Sequence, residues 1–138
     1  MSASTPASTP ESTRIRRSIA YVLTTLAALF LTFDTIIKLL RLGPAVEGTV
    51  ALGYPEHMVP VIGAIELVCL ALYLVPQTAV LGAILMTGYL GGAVASHVRI
   101  GSPLASHTLF PIYVAAMLWG GLYLRDPRLR AMLPLRRA

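Results

Sequence analysis

The chain has 138 residues, 56% hydrophobic and only 12% charged, with a mean hydropathy of +0.73, against about 25% charged residues in an ordinary soluble domain. That composition excludes a water-soluble globular protein and points to a membrane protein; the net charge of +5 lies mostly in two Arg clusters at the chain ends, which suits membrane topology rather than a nucleic-acid groove. The single cysteine, Cys69, excludes an intrachain disulfide framework and leaves the redox compartment open.

Residues 1–13 (MSASTPASTPEST) are rich in Ser, Thr and Pro, cannot bury a core and are expected to form a disordered tail. Arg14, Arg16 and Arg17 then precede an apolar run. The layout resembles the start of a signal peptide, but the run continues helically past Asp34 and no small-x-small cleavage site follows. It is therefore read as a retained first membrane helix over 19–40. Residues 41–58 hold Gly43, Pro44, Gly48, Gly53 and Pro55, too many breakers for a long helix, so a loop with one short helical turn is expected.

The second span is placed at 59–75, with Pro60 suited to a first turn. Pro76 and Gln77 close it, and so short a connection forces the third helix, 78–98, to run back beside it. Within that third helix Gly88, Gly92 and Ser96 recur every four residues, which predicts a bare face for close helix packing. After a loop containing Gly101 and Pro103 comes the fourth span, 108–124, with Tyr113, Trp119 and Tyr123 in it. The expected architecture is an all-α integral membrane protein, four transmembrane helices in an antiparallel up-down-up-down bundle over residues 14–126. A basic C-terminal tail, 127–138, follows it. The Arg bias toward the chain ends predicts that both termini are cytoplasmic, and the tail suits the anionic inner surface of a membrane.

Chemistry, if any, must come from ionisable groups within the spans, since each costs about 2.5 to 3.5 kcal/mol at a helix centre. Asp34, Lys38 and Arg41 share one face of the first helix, and Asp34 can pair with Lys38. Glu66 falls near the middle of the second helix, while His97 and Arg99 end the third. Counting depth from the helix ends gathers Asp34, Lys38, Glu66, His97 and Arg99 into one polar chamber that opens toward the extracytoplasmic side, with His107 as a further rim candidate. The half of the bundle nearer the termini should be dry.

Each residue also has a plain structural role to offer. Asp34 with Lys38 could serve only to stitch helices, Lys38 and Arg41 could snorkel to the interface, and His97 could cap its helix. Glu66 has no easy route to water at its depth and is the strongest functional candidate. Cys69 reads as an inert core thiol. His57, His97 and His107 have no recognised ligand spacing, so no metal is expected.

The blocks GAIELVCLALYLVPQTAVLGAILMTGYLGGAVASHVRIGSP and PIYVAAMLWGGLYLRDPRLR resemble the DoxX-like family of small four-helix bacterial membrane proteins. The resemblance runs from about Asp34 to Arg130. It implies an inner-membrane location and a family polar set at Asp34, Lys38, Glu66, His97 and Arg99. Better-known relatives are linked to quinol, thiosulfate or thiol-stress redox complexes, so a quinone is the cofactor that the resemblance suggests.

Three functions follow as expectations. The first is an accessory or small-molecule-binding subunit whose chamber holds a quinone-like ligand and which works with a protein partner or a second copy. The second is a membrane enzyme, an isomerase or hydrolase, in which Glu66 and Asp34 act as general acid and base on a lipophilic substrate. The third is a small proton-coupled exporter. The lipid bilayer is a partner in all three, and nucleic acid in none.

Overall fold

Pro10 stands in the first turn of the first helix, where its missing N–H would have no helical partner, and Glu11 beside it complements the positive helix end. From there α1 runs unbroken over Pro10–Leu39, thirty residues or about 45 Å. This corrects the expected start at residue 19 and the expected tail, because residues 10–13 are helical, with Ser12 Oγ donating to the Thr9 carbonyl at 2.8 Å. The computed structural model describes residues 9–132; residues 1–8 and 133–138, where the rest of the two expected tails fall, lie outside the described residues.

Helices account for all the regular structure among the described residues, and no strand occurs there. Arg41 takes a left-handed conformation (φ 53°) and turns the chain into α2, Gly43–Ala51. The loop expected over 41–58 is thus half helix, because Gly43 and Pro44 fall in the first turn, where they interrupt nothing. Gly53, at φ 88°, then reverses the chain into a 3₁₀ turn at Glu56–Met58 and α3, Val59–Leu74. Next come α4, Ala79–Arg99, a π-type turn at Leu104–Thr108, and α5, Phe110–Arg125. A short α6, Pro127–Met132, replaces the first half of the expected C-terminal tail.

Among the described residues four helical segments are long and apolar enough to cross a membrane: Pro10–Leu39, Glu56–Leu74, Ala79–Arg99 and Leu104–Arg125. Their contacts fix an antiparallel order around the bundle. Gly63 at the start of α3 abuts Lys38 at the end of α1, and Gly82 at the start of α4 abuts Tyr73 at the end of α3. Gly121 near the end of α5 lies against Ala20 and Thr24 near the start of α1. The pattern of exposure suits lipid rather than water. The buried side of α1 carries Ala20, Thr24, Ala27, Leu31 and Thr35, whereas Leu29 and Phe33 are 64% and 61% exposed on its outer side.

Close packing uses different glycines from those expected. A Cβ on Gly82 would collide with the Tyr73 backbone and one on Gly121 would lie 3.1 Å from the Ala20 carbonyl, so these two positions set the helix separations at the end of the bundle that carries the termini. A Cβ on Gly88 or Gly92 would meet nothing within 4 Å. The Gly88, Gly92, Ser96 face is therefore not a tight interface; α3 and α4 touch at Gly82, and higher up this face lines a groove of about 250 Å³ with Ile62, Ile65 and Tyr54. Ser96 is buried there and bonds to the Tyr54 hydroxyl at 2.8 Å.

Candidate functional site

Gly63 is the local cause of the site. A Cβ there would come within 2.8 Å of Lys38 Cβ, so only a bare α3 surface lets α1 approach closely at this level. Lys38 then reaches Glu66, one turn further along α3. Lys38 Nζ donates to Glu66 Oε2 at 2.9 Å, to the Tyr89 hydroxyl at 2.9 Å, and to Asp34 Oδ2 one turn back on its own helix. The Tyr89 hydroxyl donates in turn to Glu66 Oε2 at 2.9 Å. Three helices, α1, α3 and α4, are tied at one point.

The count of donors and acceptors decides what this cluster can do. An ammonium has three N–H donors, and all three are committed. The Tyr89 hydroxyl proton is committed as well. Glu66 is wholly buried, and its second oxygen, Oε1, has no hydrogen-bond partner among the described residues. Asp34 remains 27% exposed at the side chain. Two carboxylates therefore share one ammonium, and the hydrogen-bonding capacity left over belongs to acceptors. Buried polar groups are almost always satisfied, and an unsatisfied one costs about 1 to 3 kcal/mol.

The cluster forms the polar end of a cavity of about 310 Å³ whose remaining walls are apolar except at Thr49 and His97. Leu31, Leu90 and Val114 line its sides, Pro44, Ala45 and Gly48 of α2 cover it, and Phe30 and Phe110 flank it, their rings edge to face at 5.0 Å between centroids. Asp34, Lys38, Glu66 and His97 all line this one cavity. His97 is half-buried, with Nδ1 3.0 Å from Ser102 Oγ and its ring 5.9 Å from that of His107. His107 does not line the cavity; its Nδ1 meets Ser106 Oγ at 2.7 Å.

One expected member of the chamber, Arg99, lies elsewhere, and so does Arg41. Arg99 bonds through Nη2 to the Leu52 carbonyl and packs over Gly53, clamping the end of α2 to the end of α4 without lining the cavity. The physical reason is its place in the last residue of α4, beyond the level of the cluster, where its guanidinium meets the free carbonyls at the C-terminus of α2. Arg41, on the face shared with Asp34 and Lys38 in the sequence, turns away to an exposed pair with Glu56 at 2.6 Å. Such surface pairs contribute about 0 to 1 kcal/mol.

Tyr89 and the α2 cover were missed by sequence reasoning. Tyr89, Ala93 and His97 follow one another at four-residue spacing and all line the cavity, so the position of His97 carried a signal for Tyr89. For α2 the glycines and prolines concealed the helix. Among the described residues no three His, Cys, Asp or Glu side chains cluster as a metal site would require.

A family model described as "DoxX-like family" matches residues 22–121, which is most of the chain and takes in every residue of the Asp34, Lys38, Glu66, Tyr89 cluster. No curated protein and no solved structure matches it.

Proposed function

The chain belongs to the DoxX-like family, and from that premise we propose that it is a small-molecule-binding membrane protein whose ligand is quinone-like and held in its hydroxyl-bearing, quinol form. The observation that carries this reading is Glu66, which lines the polar end of a mostly apolar cavity and whose buried Oε1 has no hydrogen-bond partner among the described residues. A phenolic hydroxyl would donate to that oxygen, and the ring would lie among Leu31, Leu90 and Val114. A quinone carbonyl, by contrast, needs a donor, and those of Lys38 and Tyr89 are occupied. Cavities of about 300 Å³ are at the small end for ligands, which suits a single substituted ring.

In this reading the protein is a subunit that holds the ligand for a partner in a redox or stress-related membrane complex. It sits in the bacterial inner membrane with both termini cytoplasmic, as the Arg bias supports. The chamber would then face the extracytoplasmic half, since Lys38 and α2 lie at the bundle end opposite the termini. The test is mass spectrometry of the gently extracted protein. Wild type is expected to retain a small aromatic diol and a partner subunit, and Glu66→Gln to lose the small molecule while keeping the partner. Retention of the same molecule by both forms would refute the assignment.

A further inference from the structure

At the bundle end remote from Glu66, α1 meets the corner between α5 and α6, and the chemistry reverses sign. Arg16 and Arg17 of α1 face Arg125 of α5 and Arg130 of α6 across a groove of about 270 Å³, with Tyr21 at its side. Among the described residues none of these four guanidinium groups is in an ion pair. Their contacts orient them without neutralising them. Arg130 Nη1 donates to the Leu124 carbonyl at 2.5 Å, Arg125 lies 5.4 Å over the Tyr73 ring, and Arg17 lies 5.9 Å over that of Tyr21. The nearest carboxylate in sequence, Asp126, is used as a cap, accepting from the Arg128 and Leu129 backbone N–H groups at 2.9 and 3.3 Å. It does not line the groove.

Four like charges brought to one groove repel each other unless an anion lies between them, and guanidinium groups match the paired oxygens of a phosphate. We propose that this groove binds the phosphodiester of an anionic membrane lipid. Two observations favour a lipid over a soluble anion. At about 45 Å, α1 exceeds the hydrocarbon thickness of about 30 Å, so its first turns, which carry Arg16 and Arg17, stand at headgroup level. The groove also continues into a second cavity of about 400 Å³, sharing Tyr21, Arg125 and Pro127 with it and reaching Leu74, Ala79 and Leu122, with Asp126 also on its wall. A phosphate at the Arg end would leave an acyl chain to follow the Leu74, Ala79 and Leu122 side of that continuation. The site does not depend on what occupies the cavity at Glu66.

The test titrates the purified full-length protein in mild detergent with phosphatidylglycerol, phosphatidylcholine or inorganic phosphate and counts bound lipid by native mass spectrometry. Wild type is expected to retain phosphatidylglycerol about tenfold better than phosphatidylcholine. Arg16→Gln with Arg130→Gln should lower phosphatidylglycerol retention about tenfold, whereas Arg14→Gln with Arg128→Gln, the same charge removed outside the groove, should change it less than about twofold. Equal losses in the two pairs would mean diffuse attraction and overturn the proposal. Equal retention of phosphatidylcholine would also overturn it, as would displacement of phosphatidylglycerol by millimolar inorganic phosphate, which would make the groove a site for a soluble anion.

Discussion

Lys38 and Glu66 stand 28 residues apart in sequence and 2.9 Å apart in space, the Lys38 side chain 14% exposed and that of Glu66 fully buried. A buried charge whose partner is removed is costly, while an apolar pair in its place is not. Lys38→Met alone should therefore destabilise the bundle by about 3 kcal/mol or more, and Lys38→Met with Glu66→Met by clearly less. Thermal unfolding of the single and double variants in one detergent measures this, and simple additivity would show that the two residues do not depend on each other.

Tyr89 both accepts from Lys38 and donates to Glu66. Tyr89→Phe should cost about 1 to 3 kcal/mol of stability, and it releases one Lys38 N–H into the cavity. Ligands with a carbonyl acceptor should then bind better than they do to wild type. A stability loss with no change in ligand preference would reduce Tyr89 to a structural tie.

Gly82 and Gly92 lie on the same helix and should respond oppositely to the same substitution. Gly82→Ala forces a methyl group into the Tyr73 backbone and should cost about 1 to 3 kcal/mol or prevent folding. Gly92→Ala enters open space and should be neutral or slightly stabilising. Melting temperatures of the two variants decide the matter, and a destabilised Gly92→Ala would mean that this face packs against another chain.

The four spans were legible because lipid demands long apolar helices, and that demand is written in composition. That Asp34, Lys38, Glu66 and His97 line one cavity was legible for a related reason, since ionisable residues inside a span have few places to go. Arg99 was misjudged because spacing along a helix cannot tell whether a terminal side chain turns into the bundle or out to a loop carbonyl such as that of Leu52. The choice of packing glycines was not legible either. Gly82, Gly88 and Gly92 look alike in sequence, and which of them touches a neighbour depends on where α3 and α4 converge.

Asp34 offers a graded comparison with Glu66, because it shares the same ammonium but is only partly buried. Asp34→Asn should weaken ligand retention by only a few-fold, roughly 1 kcal/mol, against a near-complete loss in Glu66→Gln. Retention of the extracted ligand by each variant, compared at equal protein, checks the order; the reverse order would place the ligand at the mouth of the cavity instead of its floor.

The central claim, that the Lys38, Glu66 and Tyr89 cluster offers the cavity a free acceptor and no free donor, is tested most directly by titrating wild type and Glu66→Gln with a short-chain hydroquinone and its oxidised quinone. Wild type is expected to bind the hydroquinone about tenfold more tightly than the quinone, a difference of about 1.4 kcal/mol, and Glu66→Gln to lose that preference. Equal binding of the two forms by wild type, or a preference that survives in Glu66→Gln, would contradict the account.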